Sequence, residues 1–135
     1  MAKILFVCEG NMMRSQMAEY FYNEATNSKD STSAGVKATL LNHASKRAEI
    51  VMREIGKTLE QHFSKQVSEE MVKQADKIIL FSVDHVPSFL INNPKVEYWE
   101  ILDTGHGMEG GTLEVDRAVR DEVRSKVNQL IKETT

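Results

Sequence analysis

Residues 8–15 combine a thiol, a guanidinium and a hydroxyl at a spacing suited to phosphate chemistry. The segment follows a short apolar run and precedes a helical pattern. A loop of this length can turn successive backbone N–H groups towards one centre, and the following helix adds its own free N–H groups and positive dipole end. The sequence therefore predicts an oxyanion site. Its expected phosphate-binding residues are Glu9, Gly10, Asn11, Met12, Met13, Arg14 and Ser15.

Cys8, Arg14 and Ser15 have complementary chemistry in such a loop. An anion nest favours the thiolate form of Cys8, which is the nucleophilic form of a cysteine. The Ser15 hydroxyl can donate a hydrogen bond to that sulfur. The planar fork of Arg14 can hold two phosphoryl oxygens at once, a task for which lysine is poorly shaped. Asn11 can bond to the loop backbone, and the charged side chain of Glu9 is expected to point outward.

The remaining pattern alternates strands with helices. This alternation predicts an α/β fold with one open, four-stranded parallel sheet and helices on both faces. Cys8 and Asp103 each follow a strand, so both fall at the carboxyl edge of the sheet, where such folds bind ligands. Strands are expected at residues 3–7, 31–33, 78–81 and 96–101, and helices from residue 15, before Gly56, at 68–75 and after Thr112.

Apolar stripes and polar caps define the helices. The stripe of the first helix is expected to include Met17, Phe21, Tyr22 and Ala25. Asn42 or Ser45 is expected to cap the second helix and Thr112 the last. The basic pair at 46–47 and the charged run at 116–126 are interpreted as solvated helix faces.

Composition limits the classes of function. The 135 residues suit a single domain spanning residues 1–135, and a net charge of −3 without a basic stripe argues against nucleic-acid and anionic-membrane partners. The only cysteine, Cys8, excludes an internal disulfide, and with the short apolar start it favours a cytoplasmic protein. No cofactor and no metal site are predicted, because the histidines lack ligand spacing; these are His43, His62, His85 and His106.

The stretch CEGNMMRSQMAE at residues 8–19 resembles the signature of the low-molecular-weight protein tyrosine phosphatase family, which includes the thioredoxin-linked arsenate reductases. Residues 33–35, 75–76, 98–103 and 119–122 are similar to other parts of the family pattern. The resemblance implies a phosphatase-like domain that forms a cysteinyl-phosphate intermediate on a phosphotyrosine-like group. It assigns Cys8 as nucleophile, Arg14 as phosphate clamp and Asp103 as general acid. The expected partners are a phosphorylated protein or small phosphorylated substrate, and phosphate-like oxyanions.

The sequence also departs from that family pattern. Thr104 stands where the family usually has proline, and residues 36–42 and 104–112 lack the aromatic side chains of many phosphotyrosine enzymes. Gln16 is closer to the arsenate reductase branch, but that branch uses two further cysteines that this chain lacks. Met13 occupies the place of a second loop cysteine that can shield the nucleophile.

Four hypotheses follow from these residues. The first is a phosphatase, with phosphotyrosine, phosphoarginine and a small metabolite all open as substrates. The second is an arsenate reductase that uses an external thiol. The third is a phosphocarrier phosphorylated on cysteine, which Arg14 and Asp103 disfavour because such carriers generally need neither. The fourth is a phosphate-binding module without catalytic activity.

Overall fold

The computed structural model describes residues 3–11, 13–38, 44–101 and 112–134, and it confirms the predicted alternation of strands and helices. Most predicted boundaries are correct to within two residues. A short 3₁₀ helix, Ser88–Leu90, was not predicted. The elements in chain order are β1 Ile4–Cys8, α1 Arg14–Thr26, β2 Ser31–Gly35, α2 Lys46–Arg53, α3 Glu69–Gln74, β3 Lys77–Phe81, β4 Val96–Trp99 and α4 Leu113–Thr134.

The four strands form one parallel sheet in the order β2-β1-β3-β4, which confirms the predicted fold class. Val7 of β1 lies opposite Ala34 of β2 on one side and Leu80 of β3 on the other. Every residue of β1 is buried, which explains its continuous apolar sequence. The chain changes direction across the sheet between β1 and β3, so the crevice at their carboxyl ends is a topological switch point.

Helices cover both faces of the sheet. One apolar cluster joins β1 to α1, α2 and α4, and Phe6 contacts Tyr22 and Trp99 within it. The other cluster packs the opposite face against α3 and the 3₁₀ helix. The prediction that Ala25 belongs to the buried stripe is wrong, because the last turn of α1 extends beyond the core and leaves Ala25 exposed.

Polar side chains cap the helices as the sequence predicts. The Ser45 hydroxyl accepts the N–H of Ala48 at the start of α2, and the Thr112 hydroxyl accepts the N–H of Val115 at the start of α4. Each bond satisfies a backbone donor that the helix itself leaves without a partner. Asn42, the alternative cap of α2, lies outside the described residues.

A buried ion pair joins the first turns of α2 and α4. Arg47 Nε lies 2.6 Å from Asp116 Oδ2 and Arg47 Nη2 lies 2.8 Å from Asp116 Oδ1, with Asp116 fully buried. The interpretation of both residues as parts of solvated faces is therefore wrong. A bidentate pair fixes the relative placement of two helices more strictly than an exposed pair can.

The described part of the chain has neither a membrane-spanning helix nor a cluster of metal ligands. No helix in residues 3–11, 13–38, 44–101 or 112–134 has the length and apolar character needed to cross a bilayer. The same part of the chain contains no group of three or more histidine, cysteine or acidic side chains placed to hold a metal ion.

Candidate active site

The turn between β1 and α1 is built around Asn11. Its backbone has φ 55°, in the left-handed region that asparagine tolerates better than most residues. The side chain is fully buried, and its Oδ1 accepts the N–H of Lys65 at 2.9 Å while its Nδ2 donates to Ser15 Oγ at 2.8 Å. Asparagine thus supplies the rare backbone conformation and two bonds that hold it.

The Cys8 sulfur lies at the centre of this turn. Its Sγ is 2.9 Å from Ser15 Oγ and 3.2 Å from the backbone N of Asn11. A thiolate can only accept, so both groups donate to it when Cys8 is ionised. The expected bond from Ser15 is therefore present. Both groups thus face the sulfur of a side chain that is only 1% exposed.

Arg14 is buried at the carboxyl edge of the sheet. Its Nη1 donates to the carbonyl of Ser82 at 3.0 Å and to that of Ile101 at 3.2 Å. Its guanidinium carbon lies 5.7 Å from the centre of the Phe81 ring. The chain segments that follow β3 and β4 therefore fix the guanidinium in place.

The carbonyl of Asn11 faces a cluster of donors beneath the loop. Gln16 Nε2 and Ser64 Oγ both donate to it. Because these two bonds hold the Asn11 carbonyl beneath the loop, the carbonyl does not face the centre of the loop, where it would repel an oxyanion. Ser64 and Lys65 are not predictable as site residues because they lie in a connecting segment with no motif, and Gln16 is notable in the sequence only for its similarity to one family branch.

Glu19 secures this connecting segment to α1. It accepts a hydrogen bond from Ser33 Oγ at 2.7 Å, and its other oxygen lies 3.0 Å from His62 Nδ1. Burial raises the pKa of Glu19, but the bonds from His62 and Ser33 and the nearby Lys65 ammonium outweigh it, so the pKa lies below its usual value. The ionised carboxylate thus holds His62 beside the residues that support Asn11.

Three further predicted site residues, Glu9, Gly10 and Met13, lie in the described part of the loop. Gly10 and Met13 are buried in the loop, and Glu9 is half-buried with its carboxylate accepting the N–H of Asp84 at 3.0 Å. The Glu9 side chain is therefore only partly directed to solvent, because its carboxylate also contacts the segment after β3. Met12 and Asp103 lie outside the described residues, so their placement and the phosphate-binding role of the loop stay predictions.

Gly35 allows β2 to approach the loop closely. A Cβ on Gly35 would lie 2.9 Å from the Glu9 carbonyl oxygen and 3.0 Å from the Asn11 nitrogen, both backbone atoms. Gly35→Ala is therefore expected to displace the loop, lowering kcat/KM for an aryl phosphate about tenfold or more and the free energy of unfolding by roughly 1–3 kcal/mol.

The control for this prediction is Gly56→Ala. Gly56 has φ 77° but no atom within 4 Å of an added Cβ, so alanine strains the backbone there without touching the loop. Steady-state kinetics and urea denaturation should show a stability loss in both variants but an activity loss in Gly35→Ala alone. Wild-type kcat/KM in Gly35→Ala would contradict the close-packing argument.

Comparison with known proteins identifies the family of the chain. The sequence profile of the family described as "Low molecular weight phosphotyrosine protein phosphatase" matches residues 3–135. The chain belongs to this family. Its four-stranded fold is the fold of solved family members.

Family members with both phosphatase and arsenate reductase names are similar to the chain. The low molecular weight protein-tyrosine-phosphatase Ptp of Acinetobacter johnsonii is 37% identical over 79 residues, covering 58% of this chain and 56% of the relative. The chain thus spans little more than half the length of that relative. An arsenate reductase of Halalkalibacterium halodurans is 30% identical, in a match that covers 92% of this chain and 91% of the length of the relative. The crystal structure of Erwinia amylovora tyrosine phosphatase AmsI has TM-score 0.85 at 25% identity, covering 98% of this chain and 93% of that chain.

The presence of a single thiol determines how the protein is expected to respond to oxidants. Cys8 is the only cysteine, so an oxidised Cys8 cannot be protected by an internal disulfide. Peroxide is expected to convert it to the sulfinic and sulfonic acids, with mass gains of two and three oxygen atoms on its peptide, and dithiothreitol should not restore activity.

A matched variant isolates the missing second thiol. Met13 is buried in the same loop, and Met13→Cys is expected to let dithiothreitol recover most activity after the same treatment. Full recovery of the wild type after prolonged peroxide exposure would contradict this prediction.

Proposed function

We propose that the protein is a phosphatase that hydrolyses phosphomonoesters of the phosphotyrosine type through a cysteinyl-phosphate intermediate. The observation that carries the proposal is the Cys8 sulfur, which lies 2.9 Å from Ser15 Oγ in a turn directly followed by the buried Arg14. Membership of a phosphatase family supports the same chemistry.

The first step transfers the phosphoryl group to the enzyme. The Cys8 thiolate attacks phosphorus and forms an S–P bond while the ester P–O bond breaks. The leaving oxygen keeps the bonding electron pair and takes a proton from Asp103. Arg14 and the loop N–H groups stabilise the equatorial phosphoryl oxygens throughout the transfer.

The second step releases phosphate. The Asp103 carboxylate removes a proton from water, and the water oxygen attacks phosphorus. The S–P bond then breaks, its electron pair returns to Cys8, and inorganic phosphate departs with Asp103 again protonated. Ser15 assists by donating a hydrogen bond to the sulfur as it becomes a thiolate.

Arsenate reduction is the second candidate, favoured by the 30% identity to a named arsenate reductase over most of the chain. Arsenate has the shape and charge of phosphate and would occupy the same loop. Its reduction to arsenite takes up two electrons, and because Cys8 is the only thiol, an external thiol must contribute to the disulfide formed.

The testing experiment compares the two reactions on one preparation. Release of phosphate from para-nitrophenyl phosphate and from phosphotyrosine peptides is expected, with slower release from phosphoserine peptides. A protein mass increased by one phosphoryl group in rapidly acid-quenched samples is also expected. A phosphoarginine peptide is the alternative substrate. Absence of phosphate release from every substrate, together with arsenate-dependent oxidation of added glutathione, would replace the phosphatase with the reductase.

A further inference from the structure

The Glu9 side chain spans the switch-point crevice. The backbone pairing of β1 with β3 ends at Val7 and Leu80, and beyond it the two chains separate. Glu9 lies two residues further along, and its Oε1 accepts the N–H of Asp84 at 3.0 Å. A hydrogen bond to the Glu9 side chain thus connects the two segments beyond the point where the backbone hydrogen bonds of the sheet end.

The segment held by Glu9 also holds Arg14. Ser82, two residues before Asp84, supplies the carbonyl that accepts Arg14 Nη1 at 3.0 Å. Residues 82–87 form no helix or strand, and the two hydrogen bonds at Ser82 and Asp84 connect this segment to the loop. The direction of the Ser82 carbonyl therefore depends on where Glu9 places the segment.

We propose that Glu9 is a positioning residue for Arg14. Its carboxylate fixes the segment after β3, that segment aims the Ser82 carbonyl, and the carbonyl orients the guanidinium towards the oxyanion centre. The inference rests on the proposed function for its kinetic effect. Its effect on oxyanion binding requires only the phosphate loop.

The hydrogen-bond acceptor of Glu9, rather than its negative charge, carries this role. Within the described residues no lysine, arginine or histidine forms an ion pair with Glu9, and its partner is a backbone N–H. A negative charge beside an oxyanion site by itself weakens the binding of anions. An amide oxygen in the same position would keep the bond and remove the charge.

The experiment compares Glu9→Gln with Glu9→Ala, and Glu133→Ala serves as a control carboxylate on α4, where Glu133 also accepts a side-chain hydrogen bond. Glu9→Ala is expected to lower kcat for para-nitrophenyl phosphate roughly five- to tenfold, the loss typical of one hydrogen bond. Glu9→Gln and Glu133→Ala should keep kcat within about twofold. Glu9→Ala should also weaken the binding of inorganic phosphate, measured by calorimetry.

Hydrogen exchange separates this inference from the proposed function. The amide of Asp84 should exchange faster in Glu9→Ala and at the wild-type rate in Glu9→Gln, whether or not the protein turns over an ester. Equal effects of both substitutions on kcat and phosphate affinity, or unchanged exchange at Asp84 in Glu9→Ala, would overturn the proposal. Lower KM in both variants would show that Glu9 acts through charge alone, and would overturn it too.

Discussion

Cys8→Ser is expected to abolish hydrolysis of para-nitrophenyl phosphate, lowering kcat by about 10⁴-fold or more. Ser15 Oγ and the Asn11 N–H both face the sulfur, and the proposed mechanism requires a nucleophile at that position. A serine hydroxyl at that position remains protonated and is a poor nucleophile, because a hydroxyl is far less acidic than a thiol. Initial rates across mildly acidic and neutral pH provide the measurement.

The control for Cys8→Ser must show that the loop is intact. Calorimetric binding of inorganic phosphate should survive in Cys8→Ser, since Arg14 and the loop N–H groups are unchanged. Ser15→Ala is the graded comparison: it removes one donor to the sulfur and should lower kcat by roughly tenfold while leaving the thiol in place. Turnover at the wild-type rate in Cys8→Ser would contradict the proposed cysteinyl-phosphate mechanism.

Asp103→Asn is expected to lower kcat by about 10²–10⁴-fold, the range for loss of a general acid. An amide cannot protonate the leaving oxygen or take a proton from water. The deficit should grow from para-nitrophenyl phosphate to phenyl phosphate, because phenoxide is the more basic leaving group and depends more on the proton. Steady-state rates with both esters measure this difference.

Asp84 offers the matched control for the acid. It is an exposed residue that follows β3 at the carboxyl edge of the sheet, and its backbone N–H, rather than its side chain, donates to Glu9. Asp84→Asn should therefore show no leaving-group dependence beyond that of the wild type. A loss confined to Asp84→Asn, with Asp103→Asn unchanged, would transfer the acid role to Asp84.

The sequence alone predicted the four strands and four α-helices, though not the 3₁₀ helix, and it showed that a thiol, a guanidinium and a hydroxyl share one loop. β1 is predictable because a strand covered on both faces reads as an unbroken apolar run, and Ser45 and Thr112 are predictable because caps act on N–H groups within three residues. Cys8, Arg14 and Ser15 lie in one short segment, so their spacing along the chain also restricts their spacing in space. Asp103 is a prediction that only the Asp103→Asn experiment tests.

Tertiary structure decided what supports that loop. Lys65 is 54 residues from Asn11 and Asp84 is 75 residues from Glu9, yet both form hydrogen bonds with the loop. The burial of Asp116 with Arg47 and the close approach of Gly35 were likewise absent from any local pattern.

These contacts depend on the order of strands in the sheet. Placing β1 between β2 and β3 brings the segments after both neighbours against the same turn. Periodicity records which face of an element is buried but not which element covers it. The sequence therefore specified which residues form the loop, and the packing of distant segments around Asn11 and Arg14 decided its shape.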